Sequence, residues 1–158
     1  MASGEVVAEK EPHFQRVASL LGGRRVLHRQ PSSRLEVHEL ILHGLPAAAL
    51  RHLVEGIEFL RQPASMEKAL GISLRTFQRH RDAPTRPLSQ EQSGRVWEFA
   101  EILEKATSVL GSRQDAEGWL ARPATALEQR RPLDLLPTPE GRRLVEELLE
   151  RMEFGVYT

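Results

Sequence analysis

The sequence predicts an all-α protein, and three observations support this prediction. Aromatic residues make up only 5% of the 158 residues, whereas Leu, Ala, Glu and Arg are abundant, a mixture that favours helix over sheet. Apolar residues recur at helical spacing in several stretches. Ser or Thr precedes many of these stretches and Gly follows them, as is typical of helix ends. A chain of this length can bury one core, and we expect one compact unit with two lobes.

The composition of the chain also indicates which class of protein it belongs to. Hydrophobic residues account for 40% and charged residues for 28%, values typical of folded globular proteins. Basic and acidic residues both total 22, so any nucleic-acid binding depends on local segregation of charge. The chain has no cysteine, which fits a reducing cytoplasm and excludes disulfides and Cys-ligated zinc. No run of roughly 20 apolar residues is present, so we expect no membrane segment and a cytoplasmic protein.

The first third of the chain predicts short helices. Residues 1–12 look like a flexible leader. A helix is expected over 13–21, where Gly22 and the glycine after it stop it. Residues 24–34 carry four arginines and no acid, and we expect a basic connection or an arm there. Residues 35–43 fit helix or strand, with helix favoured.

A longer helix follows Gly44-Leu45-Pro46, with the proline near its first position. Its apolar stripe, which we expect to face a core, consists of Leu50, Leu53, Val54, Ile57 and Leu60.

Residues 65–81 predict a helix-turn-helix. Ser65 can cap the first helix, Gly71 can adopt the turn conformation, and Ser73 can cap the second helix. The residues expected to pack inward are Leu70, Ile72, Leu74 and Phe77. The residues expected on or near the outer side are Arg75, Thr76, Gln78, Arg79 and Arg81. Such a helix can enter a DNA major groove, where Arg and Gln read base edges and Ser, Thr and Arg contact phosphates.

A helical hairpin with a solvated basic face is the alternative interpretation of this stretch. Charge segregation favours DNA binding. Residues 72–95 contain five arginines against two acids, a local excess of three positive charges in a neutral chain. We expect the phosphate backbone of DNA to bind to this segment.

Residues 82–87 predict a stiff linker and a lobe boundary near 84–88. Ser89 and Gln92 form a capping box that opens a helix to about Leu110. We expect this helix to bridge the lobes or to dimerise through a stripe that has Trp97 beside it. The stripe consists of Val96, Phe99, Ala100, Leu103 and Ala106.

Two further helices are predicted after Gly111. The first begins at Ser112 and runs through Trp119, which we expect to pack in the core. The last begins at Thr138, with Pro139 at its first position. Its apolar stripe consists of Leu144, Val145, Leu148, Leu149 and Met152.

The chain ends in Phe154-Gly155-Val156-Tyr157-Thr158. A left-handed cap at Gly155 would leave the last three residues and the carboxylate projecting from a rigid helix. A frayed terminus is the alternative, although frayed ends seldom place an aromatic between apolar and hydroxyl residues.

Several motifs together resemble the Xre/MbcA/ParS antitoxin family. The second-half motifs are Gly111, Ala116-Glu117-Gly118-Trp119-Leu120-Ala121-Arg122-Pro123, Ala126-Leu127, Arg131-Pro132-Leu133-Asp134-Leu135-Leu136-Pro137-Thr138-Pro139-Glu140-Gly141, and Val145 onward to Gly155-Val156-Tyr157-Thr158. The upstream motifs, similar to an Xre-type helix-turn-helix, are Gly44-Leu45-Pro46, Leu70-Gly71-Ile72-Ser73, Arg75-Thr76 and Leu88-Ser89. The resemblance covers about residues 40–158, and the ordered set is specific.

Two departures from the family pattern are visible. Gly94 stands where an acid is expected between Ser93 and Arg95, which affects a polar contact near the lobe boundary. Glu128 and Gln129 replace a small, Gly-rich turn. Neither departure touches the C-terminal end.

The resemblance implies an all-α antitoxin with a leader (1–12), an Xre-like helix-turn-helix DNA-binding lobe (13–86) and a toxin-binding domain (87–158). It implies a homodimer that binds operator DNA to autoregulate its operon, and that neutralises a RES-domain, NAD-consuming toxin by blocking its active site. The implied DNA-binding residues are Ser73, Arg75, Thr76, Gln78, Arg79 and Arg81. The implied toxin-binding residues are Arg151, Phe154, Gly155, Val156, Tyr157 and Thr158.

Three other functions compete with this one. An enzyme is disfavoured because the six histidines are scattered without a metal-binding frame, and because no phosphate loop or nucleophile elbow is present. The pair Glu146 and Glu147 fits a solvated helix side. We therefore expect no catalytic residue, no metal and no cofactor. A transcription regulator without a toxin shares the helix-turn-helix, and a toxin neutraliser that has lost DNA binding also remains open.

Overall fold

The fold is described from a computed structural model over residues 13–155. Within these residues the chain is all-α, as predicted, and has nine α-helices. They are α1 (His13–Leu20), α2 (Gly23–Leu27), α3 (Arg34–His43), α4 (Ala47–Gly56), α5 (Pro63–Leu70), α6 (Leu74–Arg81), α7 (Gln90–Leu110), α8 (Arg113–Leu120) and α9 (Pro139–Glu153). Short 3-10 turns occur at Glu58–Arg61, Thr125–Leu127 and Pro132–Leu135. The leader, 1–12, lies outside the described residues.

Helix α7 is the centre of the fold. It packs against α1, α3, α5, α8 and α9, and it begins with the predicted capping box between Ser89 and Gln92. Its predicted stripe is buried together with Trp97. Helix α7 thus contacts helices from both halves of the chain, in line with the prediction that it bridges the lobes. The expectation that this stripe and Trp97 form a dimer surface is wrong, because other helices of the same chain already cover them.

The N-terminal segment is more helical than expected. Gly22 adopts a left-handed conformation (φ 99°), which turns the chain after α1. Helix α2 then begins at once and buries Leu27. The expectation of a plain basic connection or arm over 24–34 is therefore wrong for its first residues. Burial of Leu27 against the core provides the stabilisation that so short a helix lacks alone.

The linker before α7 is fixed to the start of α4. The amide of Ala47 donates to the Arg86 carbonyl at 2.9 Å, and the Leu88 amide donates to the Leu45 carbonyl at 2.7 Å. The Leu45 amide in turn donates to the buried Ser93 hydroxyl at 2.9 Å. Pro46 stands just before the first residue of α4, close to the predicted position. These hydrogen bonds hold the linker, including Arg86, in one place.

The structure shows the local conformation at both departures from the family pattern. A Cβ added at Gly94 would meet nothing within 4 Å, so this position has room for the expected acidic side chain. Glu128 and Gln129 both have positive φ, 54° and 66°. The turn therefore keeps a conformation that suits glycine although neither residue is one.

The second half packs onto the first through an ion-pair network. Asp134 accepts two hydrogen bonds from Arg131, both 2.8 Å long, and one from Lys68 of α5, also 2.8 Å. These cations hold the pKa of Asp134 well below its usual range. Gly141 lies against the Leu135 carbonyl oxygen so closely that a Cβ there would overlap it. The start of α9 is thereby set against the preceding 3-10 turn.

Candidate functional site

The turn between α5 and α6 has the predicted geometry at Gly71 and Ser73. Gly71 is left-handed (φ 68°) and its amide donates to the Glu67 carbonyl at 2.8 Å. The Ser73 hydroxyl accepts from the Thr76 amide at 3.2 Å, which caps α6. The prediction that Ser65 caps α5 is wrong. Ser65 is buried inside that helix, which begins two residues earlier at Pro63, because proline suits the first helical position.

Arg95 of α7 stabilises this turn through side-chain hydrogen bonds. Its guanidinium donates to the carbonyls of Lys68 and Ala69 at 3.2 and 3.3 Å, which satisfies free acceptors at the end of α5. Burial, with a contribution from Arg142, lowers the pKa of Arg95. Sequence reasoning counted Arg95 only as part of the positive charge, but the structure gives it a supporting position behind the turn.

Helix α6 presents an exposed basic face. Arg75, Gln78, Arg79 and Arg81 are all exposed, as predicted, and Thr76 is half-buried. Within residues 13–155, no acidic side chain forms an ion pair with any of these three arginines. Elsewhere arginines such as Arg142 are paired, in that case with Glu98 at 2.8 Å. The face is therefore free to meet an anionic partner.

Leu74 does not pack inward. It is 43% exposed, because the inward side of α6 is formed by Phe77 and His80, three and six residues further along. Sequence reasoning missed His80, which is buried, although its helical spacing from Phe77 was a usable signal. It also left Arg86 out of the site, although that residue was counted in the local charge.

The base of the C-terminal end is firmly held. Thr138 caps α9 through the Gly141 amide at 3.0 Å. Val145 and Leu149 are buried, and Arg142 pairs with Glu98 on α7. Near the other end of α9, Lys105 pairs with Glu153 at 2.6 Å. Helix α9 is thus anchored along its length to α7.

The end of α9 exposes one large apolar side chain, Phe154, among charged residues. Arg151 is exposed and Phe154 is 75% exposed. Gly155 has the predicted left-handed conformation (φ 72°). Leu144, which was expected in the inward stripe, is instead 50% exposed, because Val145 and Leu149 fill the contact with the core.

The remaining predicted toxin-binding residues, Val156, Tyr157 and Thr158, lie outside the described residues. Trp119 is half-buried and packs against the core, in line with the structural role expected for it.

The described residues hold no group of His, Asp and Glu side chains arranged to bind a metal ion. Among them no helix is both long and apolar enough to cross a membrane.

Comparison with known proteins matches the helix-turn-helix region and the C-terminal region to two different domain families. Residues 36–101 match the antitoxin Xre-like helix-turn-helix domain, and residues 105–155 match the antitoxin Xre/MbcA/ParS C-terminal toxin-binding domain. An antitoxin Xre from Pseudomonas putida strain KT2440 is 30% identical over 124 residues, which cover 78% of this chain and 75% of the relative. The chain belongs to the Xre/MbcA/ParS antitoxin family.

Two further relatives agree with this placement. An antitoxin Xre from Yersinia enterocolitica is 31% identical over 96 residues, covering 60% of this chain and 64% of the relative. The Prs ADP-ribosylating antitoxin from Sphingobium sp. strain YBL2 is 27% identical over 143 residues, covering 84% and 86%. This Xre-type antitoxin thus has α6 within its helix-turn-helix domain and α9 within its toxin-binding domain.

Proposed function

We propose that this antitoxin neutralises a RES-domain toxin that consumes NAD, by laying its C-terminal end across the entrance of the toxin's active site. The observation that carries the proposal is the 75% exposed ring of Phe154 at the end of an anchored helix. Phenylalanine is normally buried, and an exposed aromatic at a rigid position is typical of an interface anchor. The name of the Sphingobium relative, which couples an antitoxin with ADP-ribosylation, supports a partner that uses NAD.

The geometry of α9 supports the proposed plug. Because Val145, Leu149 and the pair of Lys105 with Glu153 already fix the helix, little conformational entropy remains to be lost on binding. In the complex, Phe154 would bury its ring in the toxin, and Arg151 would pair with an acidic group there. Gly155 would direct Val156, Tyr157 and Thr158 into the pocket.

We further propose that a homodimer binds operator DNA and autoregulates the operon. In this role α6 enters the major groove. Arg75 and Gln78 read base edges, since Arg and Gln pair with guanine and adenine there. Ser73, Thr76, Arg79 and Arg81 contact the flanking phosphates. Two half-sites bound by a dimer give far higher affinity than one short helix.

The proposal also includes a domain boundary, the absence of a cofactor or catalytic residue, and a location in the cell. We place the division between the DNA-binding lobe and the toxin-binding domain at residues 86 and 87. A protein that acts by occupying another protein's active site needs neither cofactor nor catalytic residue of its own. It would work in the cytoplasm, where its operon and the NAD pool are found.

The test is to co-express the adjacent RES-type toxin gene with the full-length antitoxin or with a chain lacking residues 155–158, and to measure cellular NAD, growth and copurification. We expect the full-length chain to preserve NAD and the truncated chain to fail while keeping its melting temperature and its DNA binding. Equal protection by both chains would refute the plug. The absence of any toxin partner would favour a helix-turn-helix regulator that acts on DNA alone.

A further inference from the structure

A cavity of about 470 Å³ lies where α6 ends and α7 begins. Its polar lining comes from Arg79 and His80 of α6, Arg86 of the linker, and Ser89 and Gln92 at the start of α7. No acidic residue lines it. The cavity therefore combines two cations, an imidazole and a helix N-terminus on one side of the basic face.

His80 is the unusual member of this lining. It is only 8% exposed, and its Nδ1 atom has no hydrogen-bond partner among the described residues. Buried polar atoms in folded proteins almost always have a partner. Burial, followed by the charges of Arg79 and Arg86, lowers the pKa of His80, and Gln92 partly offsets this by hydrogen bonding. The imidazole thus lies among cations, and a bound anion would offset their charge.

The other groups also favour an anion. Within residues 13–155, neither Arg79 nor Arg86 has an acidic partner. Helix α7 is 21 residues long and directs the positive end of its dipole to this point. The hydrogen bond from the Ala47 amide to the Arg86 carbonyl, 2.9 Å, keeps the linker beside the cavity. The backbone that carries Arg86 is therefore fixed beside the cavity before any ligand arrives.

We propose that this cavity binds one backbone phosphate of duplex DNA, held by Arg79, Arg86 and the imidazole of His80. The inference rests on the proposed DNA binding and extends it, because His80 and Arg86 lie outside the residues assigned to that role. A phosphate held at the end of α6 would fix how deeply and in which register the helix enters the groove. This is the positioning role of backbone contacts in DNA recognition.

The first test measures the salt dependence of binding to a duplex that covers the region upstream of the antitoxin gene. Arg86→Ala should reduce the slope of log K against log salt by about 0.9, the value for one lost phosphate contact in B-DNA, and leave the preference for this duplex over a scrambled one unchanged. Arg130→Ala, which removes an exposed arginine from the second half, should leave the slope unaltered. An unchanged slope in Arg86→Ala would overturn the proposal.

The second test follows the His80 imidazole by NMR, with His80→Gln used to assign its signal. Arg79, Arg86 and Gln92 are the groups that face it, so a bound phosphate should raise its pKa. We expect duplex DNA to produce this rise. If inorganic phosphate alone produces it and duplex does not, the cavity holds an adventitious ion only and the proposal fails.

The proposed DNA binding and the proposed phosphate site can be refuted separately. If the wild-type chain binds no duplex, DNA binding itself is wrong. If it binds and Arg75→Ala weakens its sequence preference, while Arg86→Ala and the His80 signal show no effect, only the phosphate site is wrong.

Discussion

Helices α6 and α9 have the same kind of N-terminal cap but expose different kinds of side chain. Each begins at a hydroxyl cap, Ser73 or Thr138, and each is held by buried residues on one side. Helix α6 exposes arginines without acidic partners, whereas the end of α9 exposes the Phe154 ring. Unpaired arginines suit phosphates, and an exposed ring gains free energy only by entering another apolar surface. The two helices thus present surfaces that suit the two kinds of partner in the proposed function.

The helix-turn-helix domain that contains α6 and the toxin-binding domain that contains α9 are linked by an ion pair. Lys68 of α5 reaches Asp134 at 2.8 Å, and Arg131 holds the same carboxylate. Substitutions can test whether damage to one region leaves the other intact.

Gly141→Ala should have the largest effect. The added Cβ would overlap the Leu135 carbonyl oxygen, and such overpacking costs about 3 kcal/mol. We expect a lower free energy of unfolding in urea and loss of toxin capture. Gly94→Ala is the matched control. It lies inside α7 with open space at its Cβ, and should stabilise by about 0.5–1 kcal/mol. Equal stability of Gly141→Ala and wild type would contradict the packing described for α9.

Phe154→Ala should weaken toxin binding by about 2 kcal/mol, roughly 30-fold in Kd, as for an interface hot spot. Because the ring is 75% exposed, the free energy of unfolding should stay within about 0.5 kcal/mol. Calorimetry with the purified toxin measures the first and urea denaturation the second. Leu42→Ala, another exposed apolar side chain, should bind as wild type does. A wild-type Kd for Phe154→Ala would remove the ring from the interface.

Glu128→Gly should stabilise the protein by about 0.5 kcal/mol. A non-glycine residue in the left-handed region costs about 1 kcal/mol, and the extra freedom of glycine in the unfolded chain offsets part of the gain. Loss of the exposed pair with Arg130, 3.7 Å apart, matters little. The same change within α9, Glu140→Gly, should destabilise instead. If both changes destabilise in thermal melts, the turn does not store the proposed strain.

Glu146→Gln should have the smallest effect, and one that depends on pH. Burial, then the charges of Glu101 and Glu98 on α7, raise the pKa of Glu146 in the folded chain. The ionised carboxylate therefore opposes folding near pH 7, and the wild type regains stability as the pH falls through the raised pKa. The variant should melt slightly higher at pH 7, and this advantage should vanish under acidic conditions. Parallel melting curves across pH would refute the assignment.

Most of the helices, four of their caps and two left-handed turns could be predicted from the sequence. Ser73, Ser89, Ser112 and Thr138 all cap helices as predicted, each through the amide three residues on. Gly71 and Gly155 adopt the left-handed conformations expected of them. These features are local. A cap or a turn involves residues a few positions apart, so the sequence contains both partners of the interaction.

Which sides of the helices are buried depends on the tertiary structure. Leu74 and Leu144 are exposed and His80 is buried, against the expectation from hydrophobicity alone. Trp97 and its stripe, which looked available for a dimer, are covered by helices distant in sequence. The cavity beside His80 needs α6, the linker and α7 together. Burial and electrostatic surroundings depend on contacts between segments far apart in the chain, and the periodicity of one helix cannot specify its neighbours.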